Sequence, residues 1–212
     1  MWLLKGKLEE TFRKVNAIQE HIQMCCLAPD RAKLSVDDLQ WVIEDLYEIK
    51  IQKIEVAFEG SFLHGLVERY TGRARILVRK NQEEDYVRFT TIKELCQIAI
   101  SEKEDWSIEG TKTLDALLYE VRLDTSAEKV EERAKTVIPH PIQSEKLAEI
   151  AAIELMYPFK YRAADIAAVE AGATTLRALA VHFHAPEFVI GTALHPTHHA
   201  LAEEFWAMIN KR

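Results

Sequence analysis

The chain has 212 residues, 48% of them hydrophobic and 29% charged, with a formal net charge of −7. That much apolar material supports one domain with a sizeable core, and the acidic balance argues against a direct nucleic-acid binder, which needs a basic stripe to displace phosphate counterions. No run approaches the roughly 20 apolar residues that span a bilayer. The N-terminus lacks a signal-peptide pattern, and three cysteines, two of them adjacent at Cys25 and Cys26, make no disulfide framework. A reduced cytoplasmic protein is expected.

In chain order, residues 3–27 read as an amphipathic helix, with Leu8, Phe12, Val15, Ile18 and Ile22 at three- and four-residue spacing, ended by Pro29 and Asp30. Ser35 is an N-cap for a second helix with an apolar face of Leu39, Val42, Ile43 and Leu46. The period then changes to two. Ile54, Val56 and Phe58 alternate with Glu55 and Glu59 and read as a half-buried strand that stops at Gly60. A second strand covers Leu63 to Tyr70, Thr71-Gly72 turns the chain, and Ala74, Ile76 and Val78 alternate with Arg75, Leu77 and Arg79 in a third. The basic cluster from Arg69 to Lys80 falls on this hairpin. It reads foremost as the solvated face of an exposed strand, with contact to an acidic partner as the lesser reading.

After the polar residues Asn81 to Asp85 comes a helix with an apolar stripe of Ile92, Leu95, Cys96 and Ala99, while Lys93 and Gln97 share another face. Residues 101–140 are acidic and helical in pattern, with a Leu114, Leu117, Leu118 and Val121 stripe and a capping box at Thr125 and Glu128. Pro139-His140-Pro141 is a break. Helices then span Ser144 to Met156, Arg162 to Ala171 closed by Gly172, Thr175 to Phe183 and Phe188 to Ala193, and Pro196 opens the last. Helices, a small sheet, then more helices is an α+β order.

Two segments together resemble the ImmA/IrrE family of small cytoplasmic metallopeptidases. The first is the strand Ala74–Val78 followed by Arg88, Phe89, Thr90, Glu94 and Leu95, matching the arginine-phenylalanine-threonine run before H-E-L-x-H. The second is the helix of Glu145, Ala148, Ala151, Ala152, Leu155 and Met156 closed by Pro158. The segment Leu176 to Pro186, leading into Val189, is similar to the family's closing helix pair. The resemblance implies a three-stranded sheet packed with helices in a zincin-like core over residues 50–194. Around it the single domain 1–212 has N-terminal helices in 1–48, a helical insertion at 101–140 and a C-terminal helix in 195–212.

The resemblance also implies roles. In H-E-x-x-H two histidines on one helical turn hold zinc and the glutamate is the general base. Here the histidine positions hold Lys93 and Gln97, the base position is Glu94, and the third-ligand position is Glu145. An ammonium has no lone pair, and glutamine is a poor zinc ligand beside imidazole. No metal or other cofactor is therefore expected, and Lys93 is expected to stand in the metal's volume and pair with Glu145. The interval from Glu94 to Glu145 is longer than usual for the family, and residues 101–140 account for the excess. Independently of the family, Thr91 with Glu94 forms a T-x-x-E capping box, an equal reading of Glu94.

Other candidates rank lower. His195 and His199 have the i, i+4 spacing of a helical ligand pair, with His198 beside them, but without a local cysteine or carboxylate an exposed tail helix is the better reading. His64 lies on a strand with access to the site region, His182 and His184 sit on opposite faces of their element, and His140 is a loop residue. Cys96 falls on an apolar stripe, where an inert thiol is the common outcome, and Cys25-Cys26 reads as packing. The helix-turn-helix cadence of Leu176 to Leu194 has one clear cation, Arg177, and reads as a structural pair. The preferred expectation is an inactive metallopeptidase-like protein acting as a regulatory module, with a helix-turn-helix repressor of a mobile element or stress regulon as protein partner and no direct contact with nucleic acid or membrane. The alternatives are a working zinc metallopeptidase using Glu94, Glu145 and a distant histidine, and a phage or mobile-element protein sharing only the fold.

Overall fold

A computed structural model describes residues 5–25, 34–58, 64–101 and 140–211. Eight helices and three strands lie within them: α1 Lys5–Cys25, α2 Val36–Tyr47, β1 Lys50–Val56, β2 Gly65–Tyr70, β3 Arg73–Arg79, α3 Glu84–Ile100, α4 His140–Met156, α5 Phe159–Glu170, α6 Leu176–Phe183, α7 Glu187–Leu194 and α8 Pro196–Ile209. The chain is thus α+β, mostly helical, with a small three-stranded mixed sheet. The expected helices of residues 101–140, with the Thr125 capping box, fall almost wholly outside the described residues.

The stripe expected for α1 is buried at Leu8, Phe12, Val15 and Ile18, and Phe12 stacks on Phe205 of α8 with centroids 5.1 Å apart. Ser35 caps α2 by accepting the Asp38 amide at 3.2 Å. Leu46, expected in that helix's core face, is 38% exposed. At the helix end Glu48 adopts the left-handed region (φ 50°), and the chain turns directly into β1. Two α2 side chains then hold that strand: Glu44 Oε1 accepts the Ile51 amide at 2.7 Å, and Gln40 Nε2 donates to the Ile51 carbonyl at 3.0 Å. Part of an exposed edge is covered in this way.

The sheet order is β1-β3-β2, with β1 parallel and β2 antiparallel to the central β3. Gly72 makes the hairpin turn at φ +68°, a conformation that a Cβ disfavours. On β3 the expected inner residues Ala74, Ile76 and Val78 are buried. On β1 Ile54 and Val56 are half-buried and alternate with the exposed Lys53 and Glu55, as expected, on the face of Leu77 and Arg79; Ile51, paired with Ala74, is the strand's buried residue on the other face. Period two fixes which residues share a face, but not which face meets the core. Phe58 lies beyond the strand, its carbonyl accepting from Arg79 at 3.2 Å.

The helix α3 lies on the inner side of β2 and β3 and packs closely on α4. It is buried nearly all round, from Thr90 and Thr91 through Ile92, Glu94, Leu95, Cys96, Ile98, Ala99 and Ile100, as a core helix must be. Its last carbonyls are satisfied from outside: Arg69 donates to Gln97 and, at 3.3 Å, to Ile98, and Lys14 donates to Ile100 at 3.2 Å. The expected break at Pro139-His140-Pro141 is overrun on its described side: α4 begins at His140, four residues before the expected Ser144. Gly172 closes α5 at φ +69° and Thr175 caps α6 through the Ala178 amide at 3.1 Å, both at the expected positions. No helix among the described residues is long and apolar enough to cross a membrane.

Candidate functional site: a lysine between two glutamates

Where α3 meets α4, side chains from both helices converge. The four-residue spacing of Lys93 and Gln97 places them on one face of α3, opposite Glu145 near the start of α4. Lys93 Nζ pairs with Glu145 Oε2, and Gln97 Nε2 donates to Glu145 Oε1 at 2.6 Å. The expected Lys93–Glu145 pair is therefore present, across 52 positions of sequence. Lys93 Nζ also lies 3.0 Å from Glu94 Oε1, so one ammonium stands between two carboxylates. Beside them Ser101, the last described residue before the 102–139 interval, shares a hydrogen bond of 2.5 Å with Ser144.

Glu94 differs from Glu145 in its surroundings. Its side chain is 1% exposed against 21%, and among the described residues neither of its oxygens has an aligned hydrogen-bond donor. It points toward the sheet, where Gly65 opens β2. A Cβ at Gly65 would stand 2.5 Å from Thr90 Cγ2 and 2.7 Å from Glu94 Oε1, so the absence of a side chain there is what lets the strand close over the carboxyl. The capping-box reading of Glu94 is overturned: α3 starts ten residues earlier, at Glu84, and the Thr91 hydroxyl donates to the Val87 carbonyl at 2.7 Å within the helix.

Electrostatics follows from this placement. Burial pulls the Lys93 ammonium down, but Glu94 and Glu145 together outweigh it and hold the group above the ordinary lysine range. Burial pushes the Glu94 carboxyl up, Lys93 opposes that, and the charge on Glu145 reinforces it. Glu94 is thus biased toward its neutral form. Burial likewise drives the Cys96 thiol up, with Glu94 adding to it, which disfavours a nucleophilic thiolate. A site made of a protonated amine, an amide NH2 aimed at a carboxylate and two carboxyl groups does not fit a zinc ion. Its centre is a donor where a metal needs lone pairs.

The remaining motif residues hold the helix in place. Arg88 donates to the Leu34 carbonyl and, at 3.2 Å, to that of His184, tying α3 to the entry of α2 and the exit of α6. Phe89 meets Phe188 of α7 edge-on at 4.9 Å.

The histidine cluster is dispersed by the fold. His195 caps α8, its Nδ1 accepting from the Thr197 amide at 3.4 Å. His199 stacks on Phe159 at 5.2 Å, and His198 Nε2 lies 3.1 Å from Glu154 Oε1. His64 turns away from the site to Gln82 at 2.8 Å. His182 and His184 are exposed. Cys25 is exposed as well, against the packing role expected for it. Among the described residues no three histidine, cysteine or acidic side chains gather around one point.

Sequence reasoning missed a second buried cluster. Glu154 of α4 and Arg162 of α5, both 0% exposed, stand 2.9 Å apart (Oε1 to Nη1). Trp206 Nε1 donates to Glu154 Oε2 at 2.9 Å, and Arg162 Nη2 donates to the Tyr157 carbonyl at 2.8 Å. The only hint in the sequence is a carboxylate inside the apolar run from Ala151 to Tyr157.

No family model and no curated protein matches the chain. A solved Mycobacterium tuberculosis transcriptional regulator is similar at a TM-score of 0.46 and 12% identity, over 91% of this chain and 53% of that one. The chain thus spans about half the length of that neighbour, and a likeness of this size carries no argument about function.

Proposed function

We propose that the chain is a metallopeptidase-like protein of the ImmA/IrrE type in which a lysine ammonium has replaced the metal ion, leaving a regulatory module that binds a protein partner instead of cleaving it. The observation supporting this reading is the Lys93 ammonium held between Glu94 and Glu145, with Gln97 bonded to the same Glu145. In that reading Glu94 is the former general base, and Lys93, Gln97 and Glu145 stand at the former ligand positions. The ammonium supplies positive charge without Lewis acidity or an activated water. The partner proposed is a helix-turn-helix repressor of a mobile element or stress regulon, met through protein contacts.

The test is to restore the ligands. The double variant Lys93→His/Gln97→His, purified without chelator or nickel resin, is expected to carry one zinc per chain by inductively coupled plasma mass spectrometry, with wild type carrying none. Zinc in wild type at one per chain would establish a working metal site and overturn the reading. A folded double variant that takes up no zinc would show that Glu145 is not placed as a third ligand.

A further inference from the structure

Among the described residues, the face of the sheet opposite α3 is half-buried at Ile54, Val56 and Leu77 and exposed at Leu66. The outer face of the sheet is set by the residues that alternate with Ala74, Ile76 and Val78. Across the strands they form rows: Lys50, Arg73 and Tyr70; Gln52, Arg75 and Glu68; Ile54, Leu77 and Leu66; and Val56 with Arg79. Among the described residues the helices that contact these strands are α2 and α3, and α3 takes the opposite face. Two rows carry an apolar band, with Leu66 39% exposed at the β2 edge. The other two carry cations whose pairings are loose: Lys50 is 85% exposed and 3.5 Å from Glu44, and Arg75 is 41% exposed and 3.7 Å from Glu68. A positive field stands here on a chain whose net charge is −7.

We infer that this face is a docking surface for an acidic amphipathic helix of a partner protein. Such a helix would lay its apolar stripe on Ile54, Leu77 and Leu66 and bring its carboxylates to Lys50, Arg73 and Arg75. The dimensions agree: the row of Ile54, Leu77 and Leu66 crosses three strands, about 10 Å, the rise of roughly seven helical residues. Anchors at i, i+3, i+4 and i+7 would match the width of the apolar band. A single-stranded nucleic acid fits the same face less well. Its bases need free aromatic platforms, and Tyr70 already carries Arg73 and Arg75 against its ring at 4.9 and 5.5 Å. The acidic chain as a whole also repels a polyanion.

The experiment is fluorescence anisotropy on the full chain with a labelled helical peptide of about fifteen residues, leucine at the anchor positions and glutamate elsewhere. The same peptide with lysine for glutamate and a uridine oligomer serve as competing probes. The acidic peptide is expected to bind, to weaken at least about tenfold with Arg73→Glu/Arg75→Glu, and to lose affinity with added salt. Leu66→Ser, at the exposed sheet edge, is expected to weaken it without changing the salt slope, and this second variant keeps the test open if the charge reversal fails to fold. The inference is overturned if the acidic peptide does not bind, if it binds the folded variants as it binds wild type, or if the basic peptide or the uridine oligomer displaces it.

Discussion

Glu94 and Glu154 are both fully buried carboxyl groups on neighbouring helices, and they titrate in opposite directions. Burial acts upward on both. Glu154 is nonetheless held below the usual carboxylate range, because Arg162 offsets burial and His198 and Trp206 add hydrogen bonds to the charged form. Glu94 has Lys93 at one oxygen and no aligned donor at either among the described residues, and it stays raised. Depth being equal, the cations and donors around each carboxyl set the direction. The Glu154 cluster looks like a lock joining α4, α5 and α8. Glu94 relies on the Lys93 ammonium, 3.0 Å from its Oε1, to offset burial, with the charge on Glu145 working against it.

The largest effect that tests this contrast is at the lock. Glu154→Gln leaves Arg162 buried without its counter-charge, and the expected loss is about 3–5 kcal/mol of unfolding free energy, read by urea denaturation at neutral pH. The pH dependence has a definite sign. The folded pKa of Glu154 lies below its ordinary 4.5, so its contribution is present above about 4.5 and is lost as pH falls through the lower folded value. The gap between wild type and variant should therefore be widest near neutrality and close in acid. A gap below about 1 kcal/mol at pH 7 would mean that Glu154 is no lock.

How much of this was legible depends on range. Local signals read true: the Leu8 to Ile18 stripe of α1, the Ser35 and Thr175 caps, Gly172 behind α5 and the apolar stripe of α3 are each fixed by residues within two turns of one another. The Lys93–Glu145 pair was legible because a cation stood where a motif called for a ligand. Glu154, His198 and Trp206 share no such cue; they are 44 and 52 positions apart and meet through tertiary packing alone. The Thr91–Glu94 capping pattern misled because its spacing recurs inside any helix, and what separates the two cases is where the helix starts. The alternation of β1 was legible in the same way, but alternation is symmetric between faces, and what places Ile51 on the α3 side of the sheet is its pairing with the buried Ala74 of β3.

A middle-sized effect is expected at Lys93. Lys93→Met leaves Glu94 and Glu145 facing one another without the cation between them. Both Lys93 and Glu145 keep some solvent contact, so the expected loss is about 1–3 kcal/mol, below that at Glu154. Because the folded pKa of Lys93 is raised above 10.5, its contribution is complete at neutral pH and fades only in strong alkali. Adding Glu145→Gln should recover part of the loss, since it removes the carboxylate left beside Glu94 without its cation. A double-mutant cycle by urea denaturation measures the coupling, and a coupling near zero would mean that the ammonium does not hold the two helices together.

The smallest effect has the opposite sign, which makes it the sharpest test of the contrast. Glu94→Gln keeps the shape under Gly65 but removes the ionisable group. A carboxyl whose folded pKa is raised binds its proton more tightly when folded, so wild type loses stability as pH rises from 4.5 toward that folded value. The variant escapes this loss. It should match wild type near pH 4 and equal or exceed it at pH 7, read by urea denaturation at both pH values. If Glu94→Gln were instead as destabilising at pH 7 as Glu154→Gln, Glu94 would be an ionised partner of Lys93, and the two carboxyls would be locks of one kind. If the expected gain appears, the protein is carrying a carboxyl that costs it stability. The reason for keeping it then lies in what the site binds and not in how the chain folds.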